Sequence, residues 1–469
     1  MKPKWHFQGF TIRSLFKTIR SGGKVMKKIL RVSLTVFLVG VLFCACFVTS
    51  AAAKTTSGKI DGGFTWTLDD QTGELIFSGN GDMGEDAFEK FQQKVLIPNK
   101  NNIKNIIIEE NIKSIYAMDK YLSNTALPNL QTVLHKIPNG FSWEMDFVTS
   151  TMTISGNGKC PDLEPYFWAS YGWPYIAYDY QTLKINDGIT DMENCSLPSR
   201  NCIIGKNCKN IGSLYVFESF EVDSTNPAYA SYEGCLYTKD YTKLLKTPSE
   251  KEGQLSFHPN LAIIGDQAFR MVNVDNLDIV IPWGVTTIEG SLFPSGSSGT
   301  GPIGATVVLP ETLKNWNREV GGGGMMSITF LFGEGSQTFK SGYYGTGVEF
   351  WPLLPKERYY SIYGIAPNSL KTFQNGKTYY FDQNCKMAKG WKQVNGNWYY
   401  FNDYGAAVVK IWLKSGNKWY FMQADGTMAT NKWVQWYNKW YYVGSDGAMY
   451  ANRYTPDGYW VNGSGVWVK

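Results

Sequence analysis

The chain has 469 residues, of which 43% are hydrophobic and 15% aromatic, with 17 Trp, 29 Tyr and 48 Gly. That is material for two to four domains, richer in strand and turn formers than in helix formers. The formal charge of +5 misleads: residues 1–53 hold nine Lys or Arg and no acid, which leaves 36 basic against 40 acidic residues, a net of −4, in the rest. A net-negative body has no electrostatic case for nucleic acid, and a single long apolar run excludes a polytopic membrane protein.

Lys27, Lys28 and Arg31 precede an apolar run from Val32 to Val48, and Ser50-Ala51-Ala52-Ala53 follows. This basic, apolar, small-residue order is that of a secretory signal, so residues 1–53 read as an address and Lys54 as the mature start. Met26 already begins a complete signal. The alternatives are a transmembrane anchor and a lipoprotein at Cys46, where Phe43 stands in place of the expected Leu. In the signal reading the product is secreted, with no membrane span after cleavage. Six Cys then remain, five of them (Cys160, Cys195, Cys202, Cys208 and Cys235) in one stretch and Cys385 apart. Their spacing fits neither a disulfide framework nor a zinc site; they read as buried small apolar groups, with one disulfide in the cluster as the alternative.

Three repeat periods organise the remainder. The first is 77: Phe64-Thr65-Trp66 recurs as Phe141-Ser142-Trp143, Phe77-Ser78-Gly79-Asn80-Gly81 as Ile154-Ser155-Gly156-Asn157-Gly158, and Ile106, Ile108 and Ile112 as Leu183, Ile185 and Ile189. Each copy opens on a hairpin pattern. The second period is about 24. It aligns Ile264-Gly265-Asp266-Gln267-Ala268-Phe269 with Ile288-Glu289-Gly290-Ser291-Leu292-Phe293, and Ile279-Val280-Ile281-Pro282 precedes the second copy. These residues resemble the BspA-like leucine-rich repeats of bacterial surface proteins, and Asn226 to Pro248 resembles that family's interrupting hairpin. The resemblance implies a leucine-rich-repeat solenoid over residues 54–340 and, through its association with adhesion, a host-matrix or cell-surface protein as partner. Residues 341–370 read as a linker or cap.

The third period is 21. Trp391, Trp412, Trp433 and Tyr454 keep it, Trp398, Trp419 and Trp440 follow at +7, and Gly405, Gly426 and Gly447 hold the same register. Asn395-Gly396 between apolar runs is a strong hairpin signal, so residues 371–469 read as stacked β-hairpins. This block resembles the choline-binding (cell-wall-binding) repeat family in spacing, turn, aromatic triplet and Gly-x-Met end (Gly426-Thr427-Met428, Gly447-Ala448-Met449). The expected fold is therefore mainly β, a leucine-rich-repeat solenoid followed by a β-hairpin solenoid of the choline-binding type.

A quaternary ammonium donates no hydrogen bond and is best held by a box of aromatic faces. In the resembled family two Trp of one repeat and a Tyr of the next form the cage, with Met nearby. Carried over, this implies cages at Trp391, Trp398 and Tyr420, and at Trp412, Trp419 and Tyr441 with Met428. A third lies at Trp433 and Trp440, closed by Tyr459 or Trp460. The first, partial unit has Lys371 and Thr378 at the two Trp positions, so no cage is expected there. Some of these rings must instead serve as the core of the stack.

No catalytic constellation or cofactor motif emerges. His258 reads as a structural strand residue and His135 as a solvated loop residue; Glu109 and Glu110 face opposite sides of a strand, and Gly321 to Gly324 lack the residues of a phosphate loop. The expected function is that of an exported, non-enzymatic, adhesin-like surface protein held noncovalently on choline of cell-wall teichoic acids. The alternatives are a secreted glucan binder and an unrecognised wall hydrolase.

Overall fold

The computed structural model describes residues 54–60, 62–115, 126–163, 180–195, 197–212, 214–250, 255–269, 278–293, 303–316, 327–333, 336, 342–343, 348–352 and 356–468. The signal, the start-codon and lipoprotein readings, and Gly321 to Gly324 lie outside them. The first sheet has ten strands in the order Thr55–Ile60, Phe64–Asp69, Glu74–Ser78, Asn105–Ile108, Thr132–Ile137, Phe141–Asp146, Thr151–Ser155, Thr182–Ile185, Pro198–Ile204 and Tyr215–Val222. The two stretches related by 77 residues fold alike. In each, an antiparallel hairpin (Phe64–Asp69 with Glu74–Ser78; Phe141–Asp146 with Thr151–Ser155) hands on to a parallel strand (Asn105–Ile108; Thr182–Ile185). The hairpin turn has one local cause in both copies. Asp69 Oδ1 accepts from the N–H groups of Gln71 and Thr72, and Asp146 Oδ1 from those of Val148 and Thr149. Such side-chain turns favour Asp at the strand end. Alternation then buries Leu75, Phe77, Ile106 and Ile108 in the first copy, and Met152, Ile154, Leu183 and Ile185 in the second.

Two five-stranded sheets follow. One runs Tyr229–Tyr232, Cys235–Thr238, Lys243–Lys246, Ile263–Ile264 and Thr287–Ile288; the other runs Asp278–Val280, Ile303–Leu309, Ser327–Phe332, Val348–Pro352 and Gly342–Tyr343. This arrangement corrects the BspA-like leucine-rich-repeat expectation. Ile263 and Ile264 do pair in parallel with Thr287 and Ile288, 24 residues on, but the strands of residues 54–340 fall into separate sheets rather than one curved sheet. Among the described residues, helix is confined to short segments such as Glu85–Phe91 and Lys356–Ile362, not one per repeat. The strand Cys235–Thr238 pairs antiparallel with both neighbours, which breaks any continuous parallel ladder. The reason the sequence misled is physical: stacked short parallel strands of any β architecture impose the same apolar spacing as a leucine-rich coil.

His135 is also corrected. It lies within the strand Thr132–Ile137, 1% exposed, with Nε2 2.7 Å from the Ile112 carbonyl oxygen and its ring edge-on to Trp143. His258 instead lies outside any strand and stacks on Tyr241 at 4.0 Å. Glu109 follows the strand Asn105–Ile108 and meets Lys136 at 2.9 Å. All six described thiols are buried, and Cys160 and Cys195 bring their sulfurs to 3.3 Å.

The helix Lys356–Ile362 leads into the C-terminal region. Tyr359 donates to the Leu309 carbonyl (2.8 Å) and Tyr363 to that of Ile281 (3.0 Å), while Trp283 stacks on Phe373 at 5.4 Å. Five hairpins follow, each a two-stranded sheet: Ser369–Thr372 with Thr378–Phe381, Gly390–Val394 with Asn397–Phe401, Ile411–Ser415 with Lys418–Met422, Lys432–Trp436 with Lys439–Val443, and Arg453–Tyr454 with Trp460–Val461. No helix among the described residues is long and apolar enough to cross a membrane.

Candidate functional site

A hairpin of two five-residue strands buries little by itself, so the five must share a core. The last residue of each returning strand supplies it: Phe381, Phe401, Met422, Val443 and Val461 are all at most 1% exposed. A short third segment follows each hairpin and joins two units at once. Met428 bridges antiparallel to Met422 of its own hairpin, while its N–H donates to the Trp398 carbonyl of the hairpin before (2.7 Å). Met449 does the same to Val443 and to Trp419 (2.8 Å), and Trp467 to Val461 and to Trp440 (2.8 Å). The preceding glycine is required: at Gly447, φ is +76° and a Cβ would lie 2.4 Å from Met428 Cε.

This stacking brings the expected rings together. Trp391 sits edge-to-face with Trp398 (6.3 Å between centroids) and with Tyr420 of the next hairpin (5.2 Å). Trp412 meets Tyr441 at 5.3 Å, with Trp419 across the hairpin at the position opposite Lys414. Trp433 meets Tyr459 at 6.0 Å. The second Trp of each pair is held alike: Trp398, Trp419 and Trp440 are 40%, 40% and 41% exposed, so the equivalent ring is open to the same degree in all three units. Trp391, Trp412 and Trp433 are half-buried walls behind them. Other rings are core: Tyr379, Phe381, Tyr399, Phe401 and Tyr442 are buried.

Cross-strand register chooses between Tyr459 and Trp460. Trp391 faces Tyr400, Trp412 faces Phe421 and Trp433 faces Tyr442, in each case nine residues on; Tyr454 faces Trp460, only six on. The terminal hairpin is therefore shortened by three residues at its tip. Trp460 takes the place of Tyr442, and Tyr459 the place of Tyr420 and Tyr441. Trp460 turns to Tyr454 instead (4.9 Å). Trp433, Trp440, Tyr459 and Trp467 together line a cavity of about 420 Å³. Sequence reading missed Trp467, although the signal was available: Gly465-Val466-Trp467 occupies the Gly-x-Met register with Trp in place of Met.

Two placements differ in detail from the expected ones. The backbone of Met428 is bonded to Trp398 of the first ring pair rather than to the second, where Met449 holds the equivalent place. In the first hairpin, Leu370 and not Lys371 stands opposite Tyr380 and so takes the position of Trp391.

The indole N–H groups of the three inner Trp have different partners. Trp391 Nε1 donates to the Ser415 hydroxyl (3.2 Å) and Trp433 Nε1 to the Asp457 carboxylate (2.8 Å). Trp412 Nε1 is buried with no hydrogen-bond partner among the described residues. Side-chain hydrogen bonds from Thr455 and Trp433 hold the Asp457 carboxyl below the ordinary carboxylate range, so it is ionised at neutral pH. Lys414 Nζ lies 6.0 Å from the centre of the Trp419 ring.

Family models of the choline-binding repeat match residues 369–412 and 435–467, and a cell wall binding repeat model matches residues 411–428. No curated protein matches the chain. Among solved structures, the chain is similar to choline binding protein F of Streptococcus pneumoniae, at 40% identity over 22% of this chain and 34% of that one, with a TM-score of 0.20. It is also similar to the choline binding domain of a second Streptococcus pneumoniae protein, at 40% identity over 18% of this chain and 96% of that domain, with a TM-score of 0.17. A third, CbpJ from the same species, matches at 32% identity over 22% and 42% of the two chains, with a TM-score of 0.15. The chain thus spans about a third of the length of choline binding protein F. Proteins with such repeats are characteristically secreted and associated with the cell-wall surface. The matched residues and the hairpin stack agree on one conclusion: this chain carries a C-terminal choline-binding repeat region.

Proposed function

We propose that the chain is a non-catalytic surface protein whose C-terminal repeats hold it noncovalently on choline of cell-wall teichoic acids, leaving the N-terminal sheets to engage a protein or glycan target. One observation carries this reading. Three times over, a half-buried Trp meets a Tyr from the following hairpin, and the same hairpin carries a second Trp with about 40% of its surface open. Rings needed only for packing have no reason to leave Trp398, Trp419 and Trp440 equally open to water. A trimethylammonium group against such faces gains about 0.5–2 kcal/mol per ring, and several weak sites on one polymer add through avidity without a covalent link.

The test is a choline titration of the full chain followed by Trp fluorescence. Saturable quenching is expected, reduced in Trp398→Ala and in Trp419→Ala, and absent with glucose or dextran. A response to dextran and none to choline moves the repeats to saccharide binding; silence to both leaves them as a spacer.

A further inference from the structure

The three ring sites are built on one plan but differ in what surrounds them. We infer that the cage of Trp433, Trp440, Tyr459 and Trp467 is the principal seat for a quaternary ammonium, and that the three cages are graded, the third tightest, the first next and the second weakest. This inference rests on the choline reading above.

Three independent differences point the same way. The first is the extra wall. Trp467 occupies the backbone position that Met428 and Met449 hold at the other two sites, with its N–H on the Trp440 carbonyl (2.8 Å). An indole replaces a thioether, and it stands perpendicular to Tyr459 at 6.0 Å. Trp is the strongest of the aromatic partners for a cation.

The second is the partner of the inner indole. A hydrogen bond from Nε1 to an anionic acceptor leaves more electron density on the ring and deepens its negative face. Trp433 donates to the Asp457 carboxylate, Trp391 to a neutral hydroxyl, and Trp412 to no partner among the described residues. Asp457 also adds a negative charge beside a site that is to hold a cation.

The third is competition. At the second cage the Lys414 ammonium already lies 6.0 Å from the Trp419 ring centre, on the outer wall. An incoming quaternary ammonium must displace it or accept its repulsion. No lysine or arginine lines the third cavity.

The experiment is calorimetric titration of the full chain with choline chloride, in wild type and in single variants. Wild type is expected to show a tight class of site followed by weaker ones. Trp467→Met should weaken the tight class by about 2- to 30-fold, the range of one aromatic wall. Asp457→Asn, nearly isosteric and in an exposed turn, should weaken the same class by a smaller factor. Lys414→Met should strengthen the weakest class. The grading is overturned if choline binds but the tight class survives Trp467→Met and Asp457→Asn and disappears in Trp398→Ala or Trp419→Ala. Wild type giving no saturable choline heat overturns the wall-binding reading itself, and the grading with it.

Discussion

Tyr437 forms the tip of the fourth hairpin with φ +47°, and its neighbour Asn438 has φ +62°. A two-residue hairpin turn of this kind needs both central residues left-handed, which Asn tolerates and a bulky residue resists. The equivalent tip of the second hairpin uses Asn395 and Gly396. Tyr437 is 83% exposed, and its one ring contact among the described residues is with Trp436 at 4.9 Å. Tyr437→Gly is therefore expected to stabilise the repeats by about 1 kcal/mol, read as a rise in melting temperature. A fall would mean that the Trp436 contact outweighs the backbone strain.

At the scale of the element, three turn carboxylates, Asp425, Asp446 and Asp457, hold the repeats by hydrogen bonds that favour their ionised form. Backbone N–H donation from Thr427 lowers the Asp425 pKa, the Lys418 ammonium lowers that of Asp446, and hydrogen bonds from Thr455 and Trp433 lower that of Asp457. A carboxylate whose folded pKa lies below its unfolded value contributes stability that is fully present above the unfolded pKa and is lost as pH falls through the folded one. All three shifts have this sign. The melting temperature of the repeats should thus be level from pH 7 to about pH 5 and fall below about pH 4, where unfolded Asp takes up protons. A melt that improves on acidification would contradict these turn contacts. The Lys418–Asp446 pair, more than half exposed on both sides, contributes little on its own.

At the scale of the whole molecule, the repeats do not hang from a free linker. Trp283, 2% exposed, sits between Phe373 and Phe381 of the first hairpin and Tyr363 beyond the preceding helix. Asn375 Nδ2 also donates to its carbonyl (3.4 Å). Truncating a buried Trp costs about 3–5 kcal/mol, and here the loss falls on the junction. Trp283→Ala is expected to separate one calorimetric transition into two and to expose residues 356–368 to protease. A single cooperative transition in the variant would show that the two regions are coupled elsewhere.

The sequence by itself determined what is local. The hairpin turns and the meeting of Trp391 with Trp398 lie within about ten residues, where spacing and turn chemistry suffice, and the 21-residue period repeats that local unit. The 77-residue duplication was legible for a similar reason, since Asp69 and Asp146 build the same turn from their own neighbours. What depends on how elements stack was decided only in three dimensions. The choice of Tyr459 over Trp460 follows from a three-residue shortening that shows only in cross-strand register. The role of Trp467 depends on its bond to a carbonyl 27 residues away, and that of Asp457 on a contact with the hairpin before it. The leucine-rich reading failed for the same reason: apolar spacing reports which residues turn inward, but hydrogen bonding between distant strands decides which sheet they join.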